Sequence, residues 1–195
     1  LEHKAPFIIG SAGGAGSSEH VNWLKEIILE IAKEQKLNFK LGTIYSDVTK
    51  DYVLEKLQNN KVINMSSEFT LSEESIKKSK RIVSQIGVSP IIELLDKKVD
   101  VILCGRSCDT AIYASPCIYK GYDEGLAFHM AKIMECGAMC SEPVSAADVM
   151  QGYMHKDYFE LCPANPARKC KVDRVAAHTL YEQSNPYLIF EPDGV

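Results

Sequence analysis

The chain has 195 residues, 46% hydrophobic and 25% charged, with 22 Lys and Arg against 26 Asp and Glu for a net charge of −4; a chain of this size closes a core as one domain, or one domain with a small appendage. Lys and Glu are interspersed, which excludes the concentrated basic footprint that nucleic acid requires. No apolar run reaches membrane-spanning length and no signal peptide opens the sequence, so no membrane partner is expected, and the seven cysteines, odd in number and outside any disulfide spacing, point to reduced thiols in the cytoplasm.

The first elements are the clearest. Phe7, Ile8 and Ile9 read as a strand that breaks into Gly10, Gly13, Gly14 and Gly16. Val21, Leu24, Ile27, Ile28, Ile31 and Ala32 then recur at helical spacing, with Lys25, Glu26, Glu30 and Lys33 on the opposite face. Ser17 or Ser18 can cap that helix. Backbone N–H groups from Gly13, Gly14, Gly16, Ser17 and Ser18, at the positive end of a helix dipole, suit a phosphate or a carboxylate. The loop is neither Gly-x-Gly-x-x-Gly nor a Walker A loop, and Asp47 lies too far on for a ribose, so NAD ranks below either anion. The glycines also admit a second reading, in which they only allow tight strand-to-helix packing.

Phe39 to Tyr45 reads as the next strand, and Ser46-Asp47 as the cap of a helix from Val48 to Gln58. Val62 to Met65 makes a short third strand. After Phe69 and Leu71, Ser72 and Ser75 form a helix start, and that helix is expected to run through Ile76, Ile82, Val83 and Ile86 to Gly87, with Lys77, Lys78, Lys80 and Arg81 on a solvated face. Pro90 opens a short helix carrying Ile91, Ile92, Leu94 and Leu95. Val99 to Cys104 is the cleanest buried strand and runs into Gly105-Arg106-Ser107-Cys108-Asp109-Thr110. Ligands bind beyond the carboxyl ends of strands in open α/β sheets, so this segment and the glycine loop are expected to face one crevice.

Within it, Arg106 is the candidate clamp for a carboxylate or phosphate, Asp109 a proton carrier and Cys108 a candidate nucleophile. Arg106 and Asp109 can instead pair with each other, and Cys108 can be a packed apolar residue. Ile112 to Gly121 reads as an aromatic loop, and Asp123 caps a helix from Glu124 to Gly137 with Leu126, Met130, Ile133 and Met134 inward. His129 on that helix is a candidate general base or a hydrogen-bonded core residue. Lys132 and Glu135 lie on nearly adjacent sectors of it, and His20 and His178 are the other histidines of interest. Ser145 to Met154 is expected as helix, Tyr158 to Cys162 as strand, Pro163 to Pro166 as turn and Val172 to Tyr181 as helix. The cysteine spacings at 104/108 and 136/140 are not Cys-x-x-Cys, so no metal site is indicated, and no cofactor is named by any motif.

Strand and helix alternate throughout. The expected fold is α/β, a mostly parallel, Rossmann-like sheet with helices on both faces over residues 1–142, with a small α+β extension over 143–195 packed on the same core. With no initiator Met and an end on Pro192-Asp193-Gly194-Val195, the chain reads as a portion of something longer.

The strings GSAGGAG (Gly10 to Gly16), GRSCDTAIYASPCIYKG (Gly105 to Gly121), GLAFHMAKIMECGA (Gly125 to Ala138) and VAAHTLYEQSNPY (Val175 to Tyr187) resemble those of the acyclic terpene utilization family AtuA. The resemblance implies a bacterial catabolic enzyme associated with branched terpenoid acids as acyl thioesters, and it brings no catalytic residues to carry over. The expectation is therefore a catabolic enzyme, or a portion of one, acting on a small anionic metabolite such as a carboxylic acid or acyl-CoA. The alternative from another class is a non-catalytic ligand-binding or assembly subunit; a homo-oligomer or a partner subunit fits either.

Overall fold

The structure is a computed structural model and describes residues 5–64, 70–145, 147–183 and 185–194. Its largest sheet has three parallel strands, β1 (Phe7–Ile9), β2 (Leu41–Ile44) and β3 (Val101–Cys104), in the order β1-β3-β2. Every residue of β3 is buried, because the strand is flanked on both edges and covered on both faces. Leu103 packs with Val21, Leu24 and Ile28 of helix α1 (Ser18–Glu34) on one face. Ile102 and Cys104, pointing the other way, pack with Ile91 and Leu95 of α4 (Ser89–Asp96) and with Ala111 and Ala114 of α5 (Ala111–Tyr119). The mixed α/β architecture with a parallel main sheet is the one expected from the alternation of elements.

Several boundaries differ for physical reasons. Ser17 stands at the N-cap of α1 but makes no side-chain cap bond; the Asp47 carboxylate accepts from the Ser18 amide at 2.7 Å instead. Thr49, not Ser46 or Asp47, caps α2 (Lys50–Gln58). No strand forms over 61–64, and Met65 and Phe69 lie outside the described residues. Ser72 and Ser75 do form a capping box, but α3 is only Glu73–Lys78. The chain then runs extended: Val48 N donates to the Ile82 carbonyl (2.9 Å), Ser84 N to that of Ser46 (2.7 Å) and Ile86 N to that of Arg106 (3.0 Å). Pairing with the loops after β2 and β3 overrides the local helical spacing of Ile82, Val83 and Ile86.

The expected aromatic loop over 112–121 is mostly α5, with Pro116 inside it. Burial of Ala111, Ala114 and Ser115 outweighs the amide bond that Pro116 cannot make, and the helix ends within a turn of it. Asp123 caps α6 (Glu124–Met134) through the Leu126 amide, and a 3-10 turn follows at Gly137–Cys140. The expected helix over 145–154 is in fact β5 (Met150–Met154), an antiparallel partner of β6 (Phe159–Pro163). Its alternation of buried and exposed residues is that of a half-covered strand, with Met150 against Met130, Ile133 and Met134 of α6. A small pair, β4 (Ser141–Glu142) with β7 (Lys169–Cys170), and α7 (Val172–Thr179) complete the described chain.

Candidate functional site

Three loops leave the carboxyl edge of the parallel sheet and are stitched together there. After β1, the amides of Ser11 and Ala12 donate to the carbonyls of Gly105 and Cys104, each at 3.1 Å. The Arg106 amide meets both the Gly16 carbonyl (3.0 Å) and the Ser46 hydroxyl (2.7 Å), while that hydroxyl donates to the Gly16 carbonyl (3.0 Å). The glycine loop and the Arg106 segment thus share one edge. Gly16 is required twice over: its φ is +67°, and a Cβ would stand 2.1 Å from the Arg106 nitrogen.

The loop amides are only partly available. Those of Gly14 and Gly16 donate within the loop, to Ser11 and Ala12, and Asp47 takes both the amide and the hydroxyl of Ser18 (2.7 and 2.5 Å). Among the described residues, the amides of Gly13, Ala15 and Ser17 have no protein acceptor. Beside them lies a cavity of about 310 Å³ lined by Ala15, Ser17, His20, Lys80 and Arg81. Arg81 is paired with Glu19, and the buried Nδ1 of His20 has no partner among the described residues. Lys80 and Arg81, read from sequence as a solvated helix face, are brought here by the extended segment after α3.

Arg106 lies over the same loop, its Nη1 donating to the Gly14 carbonyl at 3.4 Å. Among the described residues the arginine ion pairs are Arg81–Glu19, Arg168–Asp148 and Arg174–Glu142, so Arg106 does not pair with Asp109. Asp109 instead lines a hollow of about 90 Å³ with Ser11, Ser107, Tyr113 and Glu135. Cys108 faces elsewhere: its thiol donates to Glu191 at 2.9 Å, beside a 2.7 Å bond from the Thr110 hydroxyl to the same oxygen. Burial, with Glu191 second, pushes the thiol up to about 11, which keeps it protonated and favours the packed-residue reading.

His129 is separate again. It lines a cavity of about 300 Å³ with Phe128, Leu188 and Glu191, its Nε2 is 3.4 Å from the Thr179 hydroxyl and its ring meets Phe159 edge-on. Burial lowers its pKa, so it is neutral at pH 7. The structure therefore brings Gly13 to Ser18 and Arg106 together, sets Asp109 just behind them, and turns His129 and Cys108 toward the 185–194 segment. Glu191, which takes the Cys108 and Thr110 bonds, is a contributor that sequence spacing does not single out, and Ser46, read from sequence as a helix cap, instead joins the loops.

These features define a mixed α/β protein whose polar loops gather at the carboxyl edge of a short parallel sheet. The chain belongs to the acyclic terpene utilisation family AtuA, whose model matches residues 1–156, and the family's name ties it to a catabolic role. No curated protein and no solved structure gives a significant match to it. No helix among the described residues is long and apolar enough to cross a membrane.

Proposed function

We propose that this AtuA-family chain is a catabolic enzyme, or part of one, that binds a small anionic metabolite, a carboxylic acid or its coenzyme A thioester, at the edge of a Rossmann-like sheet. The observation that carries the reading is Arg106: a guanidinium spread over the glycine loop with a single 3.4 Å carbonyl contact and no carboxylate partner among the described residues. Asp47 already occupies the axis of α1, so the anion is assigned to the flank, where the amides of Gly13, Ala15 and Ser17 meet His20 and Lys80. Arg106 clamps a second anionic group with its planar pair of donors. Asp109 is the proton carrier, and the described residues from 143 onward are an extension packed on the same core. His129 is the second candidate for proton transfer, and Cys108 takes no covalent part.

The test is thermal unfolding of the protein with succinate, acetyl-CoA, ATP or NAD. A ligand of the native state at tenfold its Kd adds about 1.4 kcal/mol. Succinate or acetyl-CoA is expected to raise Tm, and Arg106→Ala and Lys80→Ala to remove at least half of the rise. An undiminished rise in Arg106→Ala sinks the proposal, and a rise with ATP or NAD alone replaces it with nucleotide binding.

One observation favours the non-catalytic alternative. Helix α1 buries only Val21, and its exposed Ile31, with Ile28 and Ala32, lines an apolar cavity of about 420 Å³ along the edge strand β1 together with the exposed Phe7 and Leu37. An assembly subunit would use that face, and no metabolite would then shift Tm.

A further inference from the structure

The hollow behind Asp109 has a chemistry of its own. It lies where β1 and β3 end, and its volume of about 90 Å³ suits a group of a few heavy atoms. Gly10 forms one wall: a Cβ there would come within 2.8 Å of both the Ser107 hydroxyl and the Ile112 side chain, so any other residue would fill the space. Ser107 is 1% exposed. Its amide donates to the Ser11 hydroxyl and its carbonyl accepts from it, each at 3.3 Å, yet its own hydroxyl has no partner among the described residues. Buried hydroxyls are rarely left so, because losing water without replacing its hydrogen bond is costly.

Opposite stands Glu135, whose side chain is 8% exposed and whose Oε1 is engaged by Lys132, itself 4% exposed. Its other oxygen is not spent on that pair. Asp109 is exposed and gives the hollow its opening to solvent. With Lys132 committed to Glu135, the hollow offers two carboxylates, the unpartnered Ser107 hydroxyl and the Tyr113 phenol, a set still with more acceptors than donors. Two carboxylates repel an anion, and a group that brings its own O–H satisfies them.

We infer that this hollow is a subsite for a hydroxyl group of the substrate, an alcohol or a hydrated carbonyl, which accepts a hydrogen bond from Ser107 and donates one to the Glu135 oxygen that Lys132 does not hold. No bond to hydrogen is broken; Lys132 keeps the carboxylate ionised and in place as an acceptor. This deepens the reading above, in which the anionic end of the substrate lies on Arg106 and Asp109 carries the proton, and it makes Ser107 and Glu135 specificity-determining residues for a hydroxylated substrate.

The probe is 2-fluoroethanol followed by fluorine NMR. Its line is expected to broaden with the wild-type protein, to broaden as much with Arg106→Ala, and to lose at least tenfold of that broadening with Ser107→Val, which fills the hollow, and with Glu135→Gln. In protein carrying carboxyl-labelled glutamate, the resonance missing from Glu135→Gln is expected to move when the alcohol is added, a response that a purely structural ion pair would not give. Should Glu135→Gln fail to fold because it strands Lys132, the paired replacement Lys132→Met with Glu135→Met takes its place. Broadening that survives Ser107→Val, or an unmoved Glu135 resonance, overturns the inference. Succinate and acetyl-CoA shifts on the same samples keep the two readings apart: an anion shift without alcohol broadening sinks only this one, and alcohol broadening without an anion shift sinks only the other.

Discussion

Ser46 holds the carboxyl edge together with one hydroxyl and one carbonyl. The hydroxyl joins Gly16 to the Arg106 amide, and the carbonyl accepts from both the amide (2.7 Å) and the hydroxyl (3.1 Å) of Ser84. It is 3% exposed, so Ser46→Ala removes two buried hydrogen bonds while the Arg106 amide and the Gly16 carbonyl keep each other, and is expected to cost about 1–2 kcal/mol in urea unfolding. Gly16→Ala is expected to cost about 3 kcal/mol or more, as it adds a backbone collision to a left-handed φ. Gly14→Ala, with a φ of +84° and open space around it, should cost only about 1–2 kcal/mol. Equal losses at the two glycines would show that φ alone decides. Glycine at both positions was legible in the string GSAGGAG, but which one abuts Arg106 was not, since that depends on a residue far along the chain. Ser46 was legible only as a helix cap for the same reason.

At the level of elements, the N-terminus of α1 depends on a neighbour. Asp47 supplies both the hydrogen bond and the negative charge there, so Asp47→Ala is expected to lower stability by about 1 kcal/mol in urea. Ser17→Ala, whose hydroxyl makes no cap bond, should change it much less. A larger loss for Ser17→Ala would contradict this assignment of the cap. The strand β3 was legible because a buried parallel strand is a continuous apolar run bounded by a polar loop, as in Val101 to Cys104, and the edge strand β1 because Phe7 to Ile9 is apolar up to Gly10. The segment after α3 reads as helix in the sequence because Ile82, Val83 and Ile86 have helical spacing, while the backbone of Ser46 and Arg106 that captures them in extended form is remote in sequence. Likewise β5 reads as helix in the sequence: its partner β6 lies across a turn, and Met150 and Met154 are four apart, a spacing that serves either a helix face or one side of a strand.

At the scale of the whole molecule, acid sensitivity follows from two histidines, His178 buried and His129 half-buried. Burial lowers the pKa of His129, and burial followed by the nearby Lys132 lowers that of His178, both from an ordinary 6.5. Below about 6.5 the unfolded chain takes up protons that the folded chain refuses, so their stabilising contribution is complete above that pH and is lost as pH falls toward the folded values. The urea midpoint is expected to drop between pH 7 and about pH 5.5, and His129→Gln with His178→Gln to flatten that drop; an unchanged slope in the double variant would assign it to the carboxylates. A last consequence comes from the strand order. Among the described residues β1 and β2 each pair only with β3, and β3 is translated last of the three. On the ribosome the two early strands therefore emerge before the strand that joins them in this sheet, and both ladders wait for the same short segment. Sheet formation is a single late event, and a nascent chain stalled before Val101 would present two bare apolar strands to whatever chaperone or aggregate meets it first.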